Sequence, residues 1–420
     1  MYKKIILFVL LFSFFIPKIA DARIYILIDE ASSKKFPIAV PSFLDYKGNQ
    51  SSFGKKFSDL LIKDLKIAGL FDVVDDSKLP QKDKDTSNIN FEKWQALEVG
   101  ALVKGFVDKV DDKYVFKIKL YDVGAGKMIL GKKFVVAKEH YIDAVHRFMD
   151  SLMESLTGTR GPFNSMIAAS CGGDFKKTIG TFNMDSTKRG GAAKGGRNLI
   201  SPAFSPAGGQ IAYMAFNNGA AEIYVNGRQV THFNSTTITP TWTPDGSNLV
   251  VASAFKGDTD LYLINLNGRV LRQLTHSRNI DFNPSLSGGG RMVFSSERAG
   301  GLHLFASSAD GGAATQLTYT GYQNDQPDWS PDGTKIVFAG RDQGVFDIFI
   351  MEADGSNIQR LTRGEGSNEA PTWAPDSRYI AFSSTRGGIY VMLEDGTNQT
   401  EIEKSRGCTN LDWGPWLSRK

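Results

Sequence analysis

One pattern of apolar and polar positions recurs along the second half of the chain. A large apolar residue precedes a turn rich in Pro, Asp or Gly and then a run of β-forming residues, as in QPDWSPDGTKIVF from Gln326. Two more β-type runs and a short run ending in a pair such as Leu361-Thr362 complete each unit. At intervals of 38 to 44 residues, the large apolar position is held by Phe204, Trp242, Leu286, Trp329, Trp373 and Trp413. Four short antiparallel strands per repeat predict the blades of a β-propeller.

The two ends of the repeat region complement each other. Five units are complete from Phe204 onward, whereas the sixth consists only of a first strand around Trp413. The segment FNSMIAASCGG from Phe163 has the pattern of a second strand without a first, and KTIGTFNMD that of a third. We therefore predict a six-bladed propeller in which the C-terminal strand pairs with residues Met166 to Ser170, because closure removes exposed sheet edges. The Gly/Lys-rich stretch from Ser186 to Arg197 fits this pattern least well.

The same alignment of repeats brings the chain's two cysteines together. Superposing Trp413 on Trp373 and Ile167 on Ile380 puts Cys408 and Cys171 at neighbouring ends of one hairpin. One interpretation is a disulfide that closes the ring across more than 230 residues and stabilises it by several kcal/mol, as the loop-entropy argument gives. The other is a pair of free thiols one residue out of register.

Residues 23–160 lack the repeat and predict a separate domain. Apolar residues at helical spacing indicate a helix from Phe53 that ends at Gly69, and an amphipathic helix spans HYIDAVHRFMDSLMESLTG from His140. A three-strand meander is predicted between them, from Gly100 to Val136. The expected fold is thus an α+β N-terminal domain (23–160) followed by an all-β six-bladed propeller (161–420) closed by its C-terminal strand.

The first 22 residues have the pattern of a signal peptide. Lys3 and Lys4 precede a run of twelve residues, Ile5 to Ile16, in which only Ser13 is not apolar, and Ala20-Asp21-Ala22 offers the small residues that a signal peptidase recognises. We expect cleavage after Ala22 and an exported, soluble mature protein that begins at Arg23. The alternative is an uncleaved anchor, but a run of twelve residues is too short to span a bilayer as a helix.

Charge and motifs argue against several function classes. The 49 basic and 45 acidic residues leave a net charge of +4 without a clustered basic face, so nucleic-acid binding is not expected. The chain has no GxSxG pentapeptide, no HExxH motif and no phosphate-binding Gly loop among its residues. His232 and His276 follow the same strand in successive repeats, and His146 is expected to be a packed helix residue. We expect no catalytic residues and no cofactor. No metal site is assigned, and the sequence does not decide whether a cation binds in the channel.

Several longer motifs carry a family resemblance. They are the start RIYILID, then PIAVPSF, the run from Trp94 to Gly105, the junction LTGTRGPFNSMIA, and the WSPDG-type phrases. Together they resemble the TolB family, periplasmic proteins of the Tol–Pal envelope system, over essentially the whole mature chain. The resemblance implies a non-catalytic, monomeric periplasmic scaffold. It would bind the peptidoglycan-associated lipoprotein Pal and the inner-membrane protein TolA, and support outer-membrane integrity and constriction during cell division.

The resemblance also indicates where the partners would bind. TolA would engage the mature N-terminus by strand addition, through Arg23, Ile24, Tyr25, Ile26, Leu27, Ile28 and Asp29. Pal would bind polar loops at the propeller mouth, with candidate residues Thr236, Thr239, Phe282, Asn283, Gln323, Asn324, Asp325, Gln326, Asn368 and Glu369. For any one of these residues, ordinary turn chemistry is an equal explanation. A different class of function, a small ligand or glycan bound in the channel, is the alternative.

Overall fold

The structure is a computed structural model that places most of the chain after the N-terminal segment. The residues it describes are 35–80, 89–173, 175–187, 189–191, 193, 197–217, 219–233, 235–341, 344–402 and 405–417. The predicted signal peptide and the TolA-binding segment from Arg23 to Asp29 lie outside these residues.

The N-terminal domain is a mixed five-stranded sheet packed against two long helices. The elements are β1 (Phe36–Ala39), α1 (Ser52–Ala68), β2 (Phe71–Val73), α2 (Phe91–Gln95), β3 (Ala101–Val110), β4 (Lys113–Asp122), β5 (Lys127–Ala137) and α3 (Tyr141–Thr157). The sheet has the order β2-β1-β3-β4-β5, in which β1 runs parallel to both β2 and β3 and the remaining pairs are antiparallel. The meander is as predicted, but the parallel pairing of β1 and the short helix α2 are not apparent from the sequence pattern.

The first long helix shows how local sequence sets these elements. The Ser51 hydroxyl accepts a hydrogen bond from the Gly54 N–H at 3.1 Å and so caps the N-terminus of α1. Gly69 ends the helix in the left-handed conformation, with φ 78°, which other residues resist. Phe57 and Leu61 are fully buried against the sheet and α3. None of the described helices is long and apolar enough to cross a membrane.

The propeller consists of six four-stranded antiparallel sheets, as predicted. In five of them the four strands are consecutive in the chain, and the first strand lies at the central channel. Their strands are β9 (Arg197–Phe204), β10 (Ile211–Asn217), β11 (Ala220–Val225) and β12 (Arg228–Gln229); β13 (Thr237–Trp242), β14 (Asn248–Lys256), β15 (Asp258–Asn265) and β16 (Val270–Gln273); β17 (Asp281–Leu286), β18 (Arg291–Ser296), β19 (His303–Ser308) and β20 (Thr315–Gln316); β21 (Gln323–Trp329), β22 (Lys335–Arg341), β23 (Asp347–Glu352) and β24 (Gln359–Arg360); and β25 (Asn368–Trp373), β26 (Tyr379–Ser384), β27 (Gly388–Leu393) and β28 (Thr400–Glu401).

The sixth sheet joins the two ends of the propeller. Its strands are β29 (Cys408–Trp413), β6 (Ile167–Cys171), β7 (Thr178–Phe182) and β8 (Arg189–Gly191). Trp413 pairs with Ile167 in the same register in which Trp373 pairs with Ile380. Cys408 lies directly opposite Cys171, and the two form a disulfide across a sequence separation of 237.

Repeated side chains hold the blades together. Trp329 and Trp373 each pack in an apolar cluster with residues of the preceding blade, which is the role expected for this position. The Thr of each Leu-Thr pair instead forms a hydrogen bond within its own blade. The hydroxyls of Thr275 and Thr362 accept hydrogen bonds from the N–H groups of Leu261 and Ile348, at 2.9 and 3.0 Å. These bonds tie the chain leaving each outer strand back to the third strand.

The N-terminal domain packs against one end of the propeller. At that end, the Tyr379 hydroxyl donates to the Ala68 carbonyl at 2.9 Å, and the Asn398 amide donates to the Ile67 carbonyl at 2.8 Å. Arg378 donates to the Thr157 hydroxyl at 2.7 Å. All three propeller residues lie in or beside the turns between first and second or third and fourth strands. The other end, formed by the remaining loops, faces away from this domain and is called the mouth below.

Candidate functional site: the channel and its mouth

Each first strand carries a β-bulge where it lines the channel. At each bulge the register with the second strand shifts, and one residue has a positive φ between 47° and 54°. Bulges of this kind bend a strand and redirect its side chains. The bulge residues are Ser201, Thr239, Asn283, Gln326, Ala370 and Asn410. They and the two residues that follow each of them line a narrow cavity of roughly 130 Å³.

Polar side chains in the channel bridge neighbouring blades. Asp328 lies between two blades and accepts hydrogen bonds from both: from the Ser285 hydroxyl at 3.0 Å on one side, and from the Trp373 N–H at 2.9 Å and the Thr372 hydroxyl at 3.2 Å on the other. At the closing blade, Asp412 accepts from the Phe204 N–H at 2.6 Å. The carboxylates therefore satisfy backbone groups that the bulges free from the ladder.

These two carboxylates are difficult to ionise. Both keep part of their surface open to the channel, but they lie deep among protein atoms. Loss of hydration raises the pKa of Asp328 to about 6, although its hydrogen bonds oppose the shift. Burial likewise raises the pKa of Asp412 to about 7, and the charge of Asp328 adds to the effect. Their hydrogen bonds to the blades make them structural groups of the channel wall.

The channel widens toward the mouth into a larger cavity. This cavity has a volume of about 690 Å³ and lies between the blade of β25–β28 and the closing blade. Among the described residues, its charged lining consists of Lys177, Arg386 and Arg406 with one acid, Glu369. Lys177 donates to the Thr409 hydroxyl at 2.8 Å, and Arg386 lies 3.1 Å from a Glu365 oxygen. The mouth is thus polar, open and locally basic.

The structure places some predicted site residues on the channel or mouth and others inside loops. Thr239, Asn283 and Gln326 line the channel, and Gln326 and Glu369 line the mouth cavity. Asp325 faces the inter-blade network, where it accepts from the Asn283 amide at 2.8 Å.

The remaining candidates lie in or beside the mouth loops. Asn324 and Asn368 are buried and donate to the Thr320 carbonyl at 2.8 Å and the Thr362 hydroxyl at 3.2 Å, so they shape the loops. Thr236 is exposed, and Gln323 and Phe282 are half-buried. Partner binding by these residues stays a prediction.

Sequence reasoning missed an apolar component of the mouth. Eight large hydrophobic side chains are exposed in the described part of the propeller, and six of them lie on or beside the mouth loops. Tyr319 and Tyr322 are 70% and 68% exposed. The six are Phe175, Phe216, Ile280, Tyr319, Tyr322 and Val345, whereas Leu271 and Ile358 lie near the outer strands. The sequence does contain these apolar residues within segments predicted as polar loops, and their presence there is the feature that could have indicated an apolar surface.

Comparisons with known proteins agree with this architecture. Family models described as the TolB beta propeller domain and the TolB amino-terminal domain match residues 153–417 and 24–129. The Tol-Pal system protein TolB of Desulfosudis oleivorans is 31% identical over 264 residues, which cover 60% of each chain. The protein of the same name from Hydrogenovibrio crunogenus is 28% identical over 227 residues, 53% of this chain and 52% of that one. These alignments span only about half to three-fifths of the relatives' lengths.

A solved structure extends the likeness over nearly the whole described fold. The crystal structure of TolB from Acinetobacter baumannii superposes with a TM-score of 0.78 at 21% identity, and covers 91% of this chain and 97% of that chain. At 21% identity, this structural likeness establishes a shared fold and nothing beyond it. The propeller-domain match alone covers more than half of the chain. The chain therefore belongs to the TolB family.

Proposed function

We propose that the protein is a non-catalytic periplasmic scaffold of the Tol–Pal system. Its mouth binds the peptidoglycan-associated lipoprotein Pal, and its mature N-terminal segment, Arg23 to Asp29, binds TolA. Through these two contacts it supports outer-membrane integrity and constriction during cell division. Relatives named as Tol-Pal system proteins support the assignment to this system.

The distribution of exposed apolar side chains at the mouth carries the proposal. Large exposed hydrophobics concentrated on one end of a soluble protein are typical of a protein-binding surface. Aromatic residues such as Tyr319 and Tyr322 supply much of the binding energy in such surfaces. They lie around a polar centre that includes Gln326 and Glu369. Because the N-terminal domain occupies the opposite end, the mouth is free to receive a partner.

The dimensions of the channel favour a protein over a small ligand. Pockets that enclose small molecules have volumes of about 300–1,000 Å³. The channel cavity, at roughly 130 Å³, is below that range, and its polar groups are already used between blades. The mouth cavity is larger but open, so it suits a projecting loop of a partner. Its excess of basic residues favours an acidic group on that loop.

The N-terminal segment supports the second contact through its sequence. RIYILID has Ile at every second position, 24, 26 and 28, and Ile favours extended strands, which suits addition as an edge strand to a sheet of TolA. A chain that lacks residues 23–33 should lose TolA binding and keep Pal binding. Loss of both with an unchanged melting curve would refute the division of the two sites.

Titration calorimetry with the soluble domain of Pal from the source bacterium tests the mouth. We expect Tyr322→Ala in the mature chain to weaken binding about tenfold or more, as for an aromatic hot spot. Leu271→Ala is the matched control, because Leu271 is exposed but lies on an outer strand away from the mouth. Binding that is absent, or equally affected by both variants, would contradict the proposal. A glycan that binds the channel without Pal would support the alternative function.

A further inference from the structure

Three ionisable side chains converge where the N-terminal domain meets the propeller. They are Asp64 of α1, His146 of α3 and Asp185 of the turn between β7 and β8. His146 Nε2 lies 3.3 Å from Asp185 Oδ2 and 3.7 Å from Asp64 Oδ2. One nitrogen or oxygen of each residue lies within 4.8 Å of the other two. All three residues are at most 2% exposed, so this interdomain cluster has no contact with bulk water.

The polar atoms that face one another in the cluster lack hydrogen bonds. Among the described residues, neither Asp64 oxygen, nor His146 Nε2, nor Asp185 Oδ2 has a hydrogen-bond partner. The other Asp185 oxygen is satisfied by Thr187, whose N–H and hydroxyl donate at 3.1 and 2.6 Å. Burying a carboxylate without partners costs several kcal/mol. The four orphaned atoms therefore point to a missing positive partner.

The surrounding groups do not supply that partner. The Lys63 ammonium donates to the Asp185 backbone carbonyl at 2.7 Å rather than to a carboxylate of the cluster. Burial, and then the charge of Asp185, raises the pKa of Asp64 well above its usual value. Burial alone would raise the pKa of Asp185, but the nearby imidazole of His146 and the hydrogen bonds from Thr187 hold that pKa below its usual value. A proton shared between Asp64 and Asp185 would satisfy one oxygen of each, whereas a cation between the three residues would satisfy all four atoms.

We propose that the interdomain cluster binds one divalent transition-metal ion, Zn²⁺ by preference, which joins the two domains. Imidazole nitrogen and carboxylate oxygen are ordinary zinc ligands. In a tetrahedral zinc site with bonds of about 2.0–2.2 Å, neighbouring ligand atoms lie about 3.4 Å apart, and the separations here are 3.3 and 3.7 Å. The second Asp64 oxygen can complete the coordination. Ca²⁺ and Mg²⁺ are disfavoured because they take about six or more, mainly oxygen, ligands.

The site would be structural and independent of partner binding at the mouth. Its ligands come from two helices of the N-terminal domain and from one propeller turn, so the ion would fix the relative position of the domains. Because the cluster is closed to water, the ion must enter while the chain folds. Binding would displace any proton from Asp64.

Metal content of the mature protein, refolded with Zn²⁺ and passed through gel filtration, tests the site. We expect about one Zn²⁺ per chain in the wild type and near-background content in Asp64→Asn and His146→Gln. Asp59→Asn and His140→Gln are matched controls from the exposed faces of the same region, and they should keep the ion. Refolding with a chelator should lower the melting temperature of the wild type and leave that of Asp64→Asn unchanged.

The wild type alone can overturn the proposal, whether or not the variants fold. If it refolds in Zn²⁺ or Co²⁺ without retaining metal, and its melting temperature is the same with chelator, no ion is bound. The cluster would then be a network in which Asp64 and Asp185 share a proton beside His146. Metal retained equally by the wild type and Asp64→Asn would also refute the site, because the ion would be elsewhere.

Discussion

Buried carboxylates occur at two kinds of junction in this protein, and the two are satisfied differently. At the seams between blades, Asp328 accepts hydrogen bonds from donors on both neighbouring blades. At the joint between domains, Asp64 is more deeply buried and has no hydrogen-bond partner among the described residues. Both carboxyls have raised pKa values, but only that of Asp328 is opposed by hydrogen bonds. The protein's own donors thus satisfy the carboxylate at the blade seam, whereas the carboxylates at the domain joint require a proton or an ion.

This difference follows from how each junction is built. The repeated first strand presents a backbone N–H at the same place on neighbouring blades, as Phe204 and Trp373 do, so an acid at a bulge meets a donor of fixed geometry. The domain joint is formed once, by side chains from α1, α3 and a propeller turn. Within it, the carboxylates of Asp64 and Asp185 face each other and His146 without a donor in hydrogen-bond geometry, so the interdomain cluster is the place where an added ligand matters most.

The closing disulfide should have the largest effect on stability. Replacing both Cys171 and Cys408 with Ala should lower the free energy of unfolding of the propeller by roughly 3–5 kcal/mol, because the crosslink closes a very long loop. Urea unfolding with and without reductant measures this. The double variant should be insensitive to reductant and serves as the control. Equal midpoints for oxidised and reduced wild type would show that strand pairing alone closes the ring.

Asp328→Ala should have the next largest effect. It leaves the Trp373 N–H and the hydroxyls of Ser285 and Thr372 without their acceptor, which we expect to cost about 2–4 kcal/mol. Asp328→Asn should cost less, because its carbonyl oxygen can still accept from one blade. Chemical denaturation of the two variants gives the comparison. If Asp328→Ala were as stable as the wild type, the seam would not depend on this carboxylate.

The smallest effect concerns pH at the closing seam. The folded pKa of Asp412, about 7, exceeds the usual value of about 3.9 for the unfolded chain, so the folded state binds more protons between those values. The stability contributed by Asp412 is therefore present below about pH 4 and is lost as the pH rises toward 7. Relative to Asp412→Asn, the wild type should lose about 1–2 kcal/mol across that interval, a figure reduced for its partial exposure to the channel. Parallel pH profiles for the two proteins would contradict this account.

Repetition explains how much of the fold the sequence predicts. Aligning Trp413 with Trp373 predicts the closing register, and the structure has Trp413 opposite Ile167. The N-terminal domain lacks such internal comparison, so the parallel pairing of β1 with β2 and β3 is not apparent. Its meander and two long helices are predicted because their periodicities extend over many residues.

The candidate sites are less predictable because they depend on side chains that meet only in the folded chain. His146 is a packed helix residue, as expected, but Asp64 and Asp185 come from distant segments, and no local spacing connects them to it. At the mouth, the loop positions are predictable from the repeat. Whether a loop residue points inward, as Asn368 does, or outward, as Tyr322 does, depends on the loop's conformation.

Hydrogen–deuterium exchange of the mature protein with and without the soluble domain of Pal locates the surface that Pal contacts. If Pal binds at the mouth, we expect added protection in the mouth loops at residues 276–280, 319–322 and 344–346. We expect no change in the turns at the opposite end, such as residues 205–210 and 243–248. Protection at those turns or in the N-terminal domain, with the mouth loops unchanged, would contradict binding at the mouth.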